Sequence, residues 1–363
     1  MWEDNVRKVI PYTAGEQPKG KVIKLNTNEF PYAPSPMVAT RIYDLAQDEL
    51  EGSSSMLRKY PDMDAVKLVN AIVKVYNERY FADSEGLGFD NVFTGVGSDD
   101  VLSMAFMTFF NSDKPVLFPD ITYSFYDVWA KLHRIPYKTQ ALREDFTIDL
   151  NDYLYKENGG IVIPNPNAPT GIAEPVGFFE DIISRNRESI VIIDEAYVDF
   201  GAQSCIKLLD KYNNLIVVRT FSKSRSMAGS RIGYALASKE IIRALHNVKY
   251  SYNSYTMDSV TIKLGIEAMK DEKYFRENLD KVICTRNWTY NKLTEMGFEV
   301  YESCANFLFV KPSRISAKEL FDRLKERNIY VRYFNKPRID NYLRISIGTD
   351  EEMRSLIAAI ENK

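Results

Sequence analysis

Ile190-Val191-Ile192-Ile193-Asp194-Glu195-Ala196-Tyr197 is the stretch on which the architecture turns. Four apolar residues in a row leave no polar face, so as a strand the segment must be covered above and below, as in the parallel sheets of α/β proteins. Reading outward, the same kind of run recurs upstream at Val92-Phe93, Val116-Leu117-Phe118 and Ile161-Val162-Ile163, and downstream from Leu215 to Val218. Helix-length segments lie between them. Asp99 to Phe110 places Leu102, Ala105, Phe106 and Phe109 at helical spacing, and Pro175 to Arg187 is a second such segment. Alternating strands and helices predict a doubly wound α/β domain with a mainly parallel sheet.

From Tyr255 to Leu293 the pattern is almost continuously helical, long enough to connect two lobes. Beyond it come a strand (Asn306 to Val310), a helix (Ala317 to Arg327), two strands (Tyr330 to Arg332 and Tyr342 to Ile347) and a last helix (Asp350 to Glu361), the order of a small α+β domain. No internal repeat or low-complexity stretch is present, and Gly52-Ser53-Ser54-Ser55 reads as a loop or linker.

The chain has 363 residues, enough for two domains, and its 45% apolar content is enough for a large core. With 47 basic and 50 acidic residues spread along it, the formal charge is −3, which offers no electrostatic footprint for nucleic acid or an anionic membrane. Any bound anion must be held locally. Cys205, Cys284 and Cys304 show no CxxC spacing, so neither a disulfide framework nor a thiolate zinc site is expected. No apolar run approaches the ~18 residues of a membrane span, and Met1-Trp2-Glu3-Asp4-Asn5 opens no apolar signal region, so a cytoplasmic location is expected. The two histidines, His133 and His246, read as polar helix edges, which leaves a histidine triad or histidine metal site without support.

Four polar clusters fall just after the carboxyl ends of expected strands, where open α/β sheets bind ligands. Thr94-Gly95-Val96-Gly97-Ser98-Asp99-Asp100 is a glycine turn into a helix, with free N–H groups suited to a phosphate. As a plain turn it needs no ligand, and it lacks the third glycine of a dinucleotide fingerprint. Asn165-Pro166-Asn167-Ala168-Pro169-Thr170-Gly171 is a proline-stiffened loop that either offers amide donors or simply turns the chain. Asp194 leaves an apolar strand, a costly place for a carboxylate unless a cationic ring nitrogen, an arginine or a helix cap meets it. Thr220-Phe221-Ser222-Lys223 is followed by Gly229-Ser230-Arg231-Ile232-Gly233-Tyr234. A lysine at a strand end in a polar pocket can become a low-pKa amine that forms a Schiff base, although a surface loop lysine would look the same. No GxxxxGK pattern precedes Lys223, which excludes a Walker lysine.

In this order and spacing, Asn165 to Gly171, Asp194 to Tyr197, Thr220 to Lys223 and Ala228 to Tyr234 resemble the fold-type I pyridoxal phosphate aminotransferases (class II). Pro11-Tyr12, Leu25-Asn26-Thr27-Asn28-Glu29, Arg58-Lys59-Tyr60-Pro61, Arg332 and Leu343-Arg344-Ile345-Ser346 are similar to the histidinol-phosphate aminotransferases within that class, so the resemblance spans nearly the whole chain. It implies an aspartate aminotransferase-like fold, with residues 1–30 as an arm joining the small domain, 31–282 as a large three-layer cofactor-binding domain and 283–363 as a small C-terminal α+β domain. It also implies pyridoxal 5'-phosphate as cofactor, no metal, a small-molecule amino donor and 2-oxo acid acceptor, and a homodimer with shared active sites.

Residue by residue, the resemblance makes Lys223 the Schiff-base lysine and proton carrier, Asp194 the partner of the pyridine nitrogen, and Tyr197 a hydrogen-bond partner of the ring hydroxyl. Gly97, Ser98 and Asp99 would cradle the phosphate with Thr220, Ser222 and Arg231, Tyr123 would stack on the ring, and Tyr60 would reach the phosphate in the neighbouring subunit. Arg344 would bind the α-carboxylate of glutamate and Arg332 a substrate phosphate or distal carboxylate, with Tyr12 and Asn28 lining the same pocket. The implied reaction moves the amino group of L-histidinol phosphate to 2-oxoglutarate, a step of histidine biosynthesis.

Two departures stand out. The family places an asparagine facing the ring hydroxyl immediately before Pro-Thr-Gly, and here that position is Ala168, which leaves Asn167 or Asn165 as the replacement. Lys249-Tyr250-Ser251-Tyr252-Asn253-Ser254-Tyr255 stands where a Pro-Phe-Asn-like stretch is usual, and an altered substrate pocket or domain hinge is expected. The same motifs fit a threonine-phosphate decarboxylase or an aromatic or broad-range aminotransferase. From another class, a nucleotide-binding oxidoreductase could use the Gly95 to Ser98 turn and would give Lys223 no role.

Overall fold

A computed structural model describes residues 1–52 and 55–361; of the expected Gly52 to Ser55 linker, Ser53 and Ser54 lie outside the described residues. A short strand β1 (Ile23–Lys24) precedes helices α1 (Pro36–Glu51) and α2 (Val66–Tyr80). Strands and helices then alternate: β2 (Val92–Gly95), α3 (Ser98–Phe109), β3 (Val116–Pro119), α4 (Tyr126–His133), β4 (Tyr137–Gln140), α5 (Asn151–Leu154), β5 (Gly160–Pro164), α6 (Val176–Arg185), β6 (Val191–Asp194), β7 (Leu215–Thr220), β8 (Gly233–Ala237) and α7 (Lys239–Tyr252). Helices α8 (Ser259–Lys270) and α9 (Glu272–Glu295) lead to β9 (Glu299–Val300), β10 (Phe307–Lys311), α10 (Ala317–Glu326), β11 (Ile329–Tyr330), β12 (Arg332–Tyr333), β13 (Leu343–Ser346) and α11 (Asp350–Glu361).

The large sheet has the order β2-β8-β7-β6-β5-β3-β4; β8 is antiparallel to both neighbours and every other pairing is parallel. The apolar runs supply both of its faces. Val191 and Ile193 join one core with Ile161, Ile163, Leu215 and Val217, while Ile192 joins the other with Val162, Ile216 and Val218. Ile72 of α2, Ile182 of α6 and Leu264 of α8 cover the first face, and Phe106 of α3, Trp129 of α4 and Leu245 of α7 cover the second. This is the three-layer arrangement expected, because a strand without a polar face must be covered on both sides.

Chain direction creates the site. Six strands running in one direction end on one edge at Gly95, Pro119, Gln140, Pro164, Asp194 and Thr220. Antiparallel β8 begins on that same edge, with Gly233 opposite both Gly95 and Thr220. A Cβ at Gly233 would lie 2.2 Å from the carbonyl carbon of Gly97 and 2.3 Å from the Ser98 nitrogen, so the absence of a side chain is what lets the Gly97 turn close over the strand.

The connector differs from the expectation of one nearly continuous helix over Tyr255 to Leu293. Asp258 caps α8, accepting from the Thr261 N–H at 2.8 Å, and Asp271 interrupts the run to cap α9, accepting from the Tyr274 N–H at 3.2 Å. Asp271 also accepts from the Ser35 hydroxyl at 2.6 Å, which ties the break to the start of α1. Helix α9 then crosses between lobes: the Arg225 guanidinium of the large lobe sits 3.9 Å from the centre of the Phe275 ring, while Val282 and Leu293 enter the small-lobe core. The expected strand over Tyr330 to Arg332 is divided at Val331. β11 pairs in parallel with β1, bringing Leu25 into the small-lobe core, and β12 pairs antiparallel with β13 in the sheet β12-β13-β10-β9. No helix among the described residues is long and apolar enough to cross a membrane.

Replacing Gly233 by alanine is expected to destabilise the ligand-free protein by about 1–3 kcal/mol, the usual cost of overpacking, because the obstacle is backbone. A urea midpoint equal to that of the wild type would contradict the close approach.

Candidate active site

Two buried carboxylates stand side by side at the end of β6, and their surroundings differ. Glu195 is ion-paired with Arg219, Oε2 to Nε 2.9 Å, and accepts the Cys205 N–H at 2.6 Å and the Ser204 hydroxyl at 2.7 Å. Asp194 accepts only from the Tyr126 hydroxyl at 2.9 Å and the Ala196 N–H at 3.1 Å, and among the described residues it has no cationic partner. Burial pushes its pKa up to about 6 against the help of those two hydrogen bonds. Asp194 lines a cavity, so a cation delivered there would meet an otherwise uncompensated charge. Tyr126, which nothing in the sequence alone singles out, is the residue that aims this carboxylate.

Lys223 enters the same cavity from the loop after β7. Its Nζ lies 3.5 Å from the Thr27 carbonyl oxygen and 5.4 Å from the centre of the Tyr197 ring. Tyr197 accepts from the Asn28 amide at 2.9 Å, which leaves its own hydroxyl proton available. Asn28 is in the left-handed region, φ 57°, and is held there by Ser346 of β13, whose hydroxyl accepts the Asn28 N–H at 2.8 Å and donates to its Oδ1 at 2.9 Å. The small lobe thus fixes a tyrosine of the large one.

One end of the cavity is built for an anion. Gly97, φ 93°, starts α3, and a Cβ there would meet the Arg231 Nη2 at 2.3 Å, so glycine lets the guanidinium lie against the helix start. Arg231 reaches the Ser222 hydroxyl at 3.3 Å and Asp99 Oδ2 at 3.5 Å. Ser98 and Thr220 complete the lining, with the Thr220 hydroxyl accepting the Ser222 N–H at 3.0 Å. The Tyr123 ring forms one wall; its hydroxyl donates to Asp99 at 2.6 Å, and burial raises its pKa far above the ordinary phenol value. Helix-start N–H groups, hydroxyls and a guanidinium converge as a phosphate dianion requires.

Lys223, Tyr197 and Ala168 also border an adjoining cavity that contains Tyr12, Asn28, Arg332 and Arg344. Arg344 donates to the Asn26 carbonyl oxygen at 2.9 Å, its buried Nε has no partner among the described residues, and burial lowers its pKa. Arg332 reaches only the carbonyl oxygens of Thr13 and Ala14, each at 3.5 Å. Among the described residues neither guanidinium meets a carboxylate, so both charges remain available to an anionic ligand. Tyr12 is stacked on Phe125 with ring centres 4.2 Å apart, which stiffens the mouth of this cavity.

Three expectations are corrected. Asn167 does not reach the cavity: its Oδ1 accepts from the Thr122 hydroxyl at 3.0 Å, and its amide donates to the Ile121 carbonyl oxygen at 3.0 Å and to Thr170 Oγ1 at 3.2 Å. Asn165 is equally occupied, donating to the Glu174 carbonyl oxygen at 3.1 Å and accepting its N–H at 2.9 Å. Both side chains brace the loop, Ala168 lines the cavity, and Tyr197 is the polar group left beside it. The Lys249 to Tyr255 segment lines neither cavity. Lys249 donates to the Met63 carbonyl oxygen at 2.9 Å, Tyr250 to the Asp64 carboxylate, and Tyr255 stacks on Tyr60 at 4.7 Å, so the segment braces the loop that bears Tyr60. Tyr60 itself is 82% exposed and lies outside the cavity of its own chain.

The sequence profile of the family "Aminotransferase class I and II" matches residues 20–360. The chain is 48% identical over 361 residues to a histidinol-phosphate aminotransferase of Clostridium botulinum, covering 99% of this chain and 97% of that one. It is 48% identical over 357 residues to the enzyme of the same name from Lactococcus lactis subsp. cremoris, with 98% and 96% covered. Among solved structures, the histidinol-phosphate aminotransferase of Sinorhizobium meliloti in complex with pyridoxal-5'-phosphate superposes with a TM-score of 0.81 at 24% identity over 94% of this chain and 90% of that one. An aspartate aminotransferase of Thermotoga maritima gives 0.79 at 22% identity over 94% and 92%, so the fold by itself does not select a substrate.

Asp194→Asn is expected to stabilise the ligand-free protein in a pH-dependent way. A carboxyl raised from 3.8 to about 6 on folding leaves stability intact below the lower value and removes it as pH rises through the upper. The charged form therefore costs about 3 kcal/mol at neutral pH and above. In urea denaturation the gain should be larger at pH 8 than at pH 5 by about 1–2 kcal/mol; a gain independent of pH would show that Asp194 is not the uncompensated charge.

Proposed function

The chain belongs to the class I and II aminotransferases, and from that premise we propose that it is a pyridoxal phosphate-dependent transaminase that moves the amino group of L-histidinol phosphate to 2-oxoglutarate, a step of histidine biosynthesis. The observation that carries the cofactor is the pairing of one cavity wall, the uncompensated Asp194 carboxylate, with Lys223 on another and the Gly97–Arg231 anion cradle at the end. Ring nitrogen, aldehyde carbon and phosphate of pyridoxal phosphate ask for these three groups in turn. The substrate reading rests on the near-full-length likeness to histidinol-phosphate aminotransferases and on Arg344 and Arg332, two guanidinium groups without carboxylate partners beside Lys223.

When bound, pyridoxal phosphate supplies an electrophilic carbon for the amine and a conjugated ring that accepts the electron pair left at the substrate Cα. The chain's own groups do the rest. Lys223 would hold the cofactor through Nζ, and the same amine would be the base that moves the substrate Cα proton. Asp194 keeps a proton on the ring nitrogen, which an ionised buried carboxylate favours strongly. Tyr197, its hydroxyl oxygen engaged by Asn28, directs its own proton to the ring hydroxyl without help from an asparagine at position 168. Arg231, Ser222 and the start of α3 hold the phosphate, and Tyr123 covers the ring. Arg344 takes the α-carboxylate of glutamate, and Arg332 the substrate phosphate or the distal carboxylate.

On the same reading residues 1–30 are an arm joining the small domain, 31–282 the cofactor-binding domain and 283–363 the small domain. Two copies associate in the cytoplasm, with each Tyr60 reaching the phosphate in its neighbour's site. The exposure of Tyr60, combined with the bracing of its loop by Lys249 and Tyr250, supports a side chain held ready for a group outside its own chain.

Purified protein mixed with pyridoxal phosphate should show a visible band that borohydride fixes to Lys223 and that Lys223→Ala lacks. Histidinol phosphate should convert this band, and with 2-oxoglutarate yield glutamate, at a kcat/KM at least about tenfold above that for aromatic amino acids, equivalent to ~1.4 kcal/mol. A band without turnover of histidinol phosphate would remove the substrate assignment, release of carbon dioxide from a phosphorylated amino acid would replace it, and absence of the band would remove the cofactor.

A further inference from the structure

Beside the cavity, but outside its lining, lies a buried ionic network that the chemistry above does not use. Arg219, 2% exposed, is its hub. Its Nε is 2.9 Å from Glu195 Oε2 and its Nη1 3.0 Å from Asp199 Oδ1, and its Nη2 donates to the Ser204 hydroxyl at 3.0 Å. Asp199 Oδ2 accepts from the Ser224 hydroxyl at 2.6 Å. Glu195 adjoins Asp194 in the chain, and Ser224 adjoins Lys223. The contacts therefore run from the neighbour of the buried carboxylate to the neighbour of the cavity lysine, through three charged side chains.

We propose that this network is a positioning device: Arg219 and Asp199, through Glu195 and Ser224, fix the end of β6 that carries Asp194 against the loop that carries Lys223, and so set the separation between carboxylate and amine. The inference rests on the reading of Lys223 as the cofactor-bearing lysine. Holding the fold alone does not call for such an arrangement, since apolar side chains of similar volume commonly replace a buried ion group without loss of stability. Apolar packing fixes volume, whereas charge-assisted hydrogen bonds, here from Arg219 Nη1 and the Ser224 hydroxyl to Asp199, fix direction. Direction matters where two groups on different strands must act on opposite ends of one ring, and a displacement near 1 Å there costs rate. The outer rim, where Arg79 bridges Asp199 at 3.6 Å and Glu272 at 2.5 Å, joins the network to α2 and α9, and Glu272 is separately paired with Arg225, two residues beyond Lys223.

Ser224→Ala tests this with the least disturbance, because it deletes one hydroxyl and leaves every ion pair in place. The titratable and charged groups facing Lys223 itself are Asp194, Asp99, Tyr123, Tyr197, Arg231 and Glu29 on one side and Tyr12, Arg332 and Arg344 on the other, and the substitution alters none of them. In the holoenzyme, Ser224→Ala should displace the pH at which the lysine-bound cofactor band titrates by about half a unit or more. It should also lower kcat about tenfold while KM for the amino donor stays within about twofold, the pattern of misplaced rather than missing groups. Arg79→Gln, which removes the rim pairs of Arg79 and leaves the Glu272–Arg225 and Ser224–Asp199 contacts in place, should lower the melting temperature and leave the band's titration unchanged. A Ser224→Ala holoenzyme whose band titrates as in the wild type, whatever its melting temperature, overturns the inference and leaves the network a purely structural feature. If Ser224→Ala does not fold, Asp199→Asn provides the same two readouts, and an unshifted band in that variant overturns the inference equally. A wild type with no lysine-bound band removes the cofactor reading and this inference together, whereas a normal wild-type band with an unshifted variant removes this inference alone.

Discussion

The charge on Asp194 is the constraint around which the rest of the site is arranged. A carboxylate at the end of a fully apolar strand loses most of its hydration, and the chain leaves this one with a phenol and one N–H while giving Glu195, one residue on, a guanidinium. The contrast is informative because both groups are buried by the same strand end. A protein that pairs one of two adjacent carboxylates internally and directs the other into a cavity holds a site for a cation of defined position. Lys223 does not fill that role in the structure, since its ammonium lies over the Tyr197 ring and near the Thr27 carbonyl oxygen.

The architecture explains why so few residues suffice. Six parallel strands deliver their loops to one edge, and the single antiparallel strand β8 starts there, so Arg231 arrives at the anion cradle from the opposite chain direction. Gly97 and Gly233 permit the contact: each would place a Cβ inside its neighbour, one into the guanidinium and the other into backbone. The small lobe contributes through β13, where Ser346 holds Asn28 on Tyr197 and Arg344 enters the adjoining cavity. Cofactor orientation and substrate binding are thereby linked to one short strand.

Five of the six parallel strands were legible in sequence because a strand buried on both faces has no polar alternation to confuse with anything else, as Val191 to Ile193 and Leu215 to Val218 show; the edge strand β4, exposed at Lys138 and Thr139, was not. β8 was not either: Gly233 is set by the approach of the Gly97 turn, and Ala235 and Ala237 are weak strand formers. The break at Asp271 was hidden since a single capping aspartate inside a periodic run reads as one more polar helix position. In the site, residues whose role follows from placement at a strand end, Asp194, Lys223 and Arg231 among them, come together in one cavity. Asn167 fails because residue type does not say where an amide spends its hydrogen bonds, and here all are spent within the loop and its neighbour. Nothing local distinguishes Asp194 from Glu195 either; only Arg219, on the next strand, does so.

The most direct test of the central claim compares the affinities of pyridoxal phosphate and of its analogue with a carbon in place of the ring nitrogen, for the wild type and for Asp194→Asn. If the Asp194 charge is met by the ring nitrogen, the wild type should prefer the nitrogen ring by at least about tenfold, or ~1.4 kcal/mol, and the variant should lose that preference. Equal binding of both by the wild type, or a preference that survives in the variant, would mean that the ring nitrogen does not sit at Asp194.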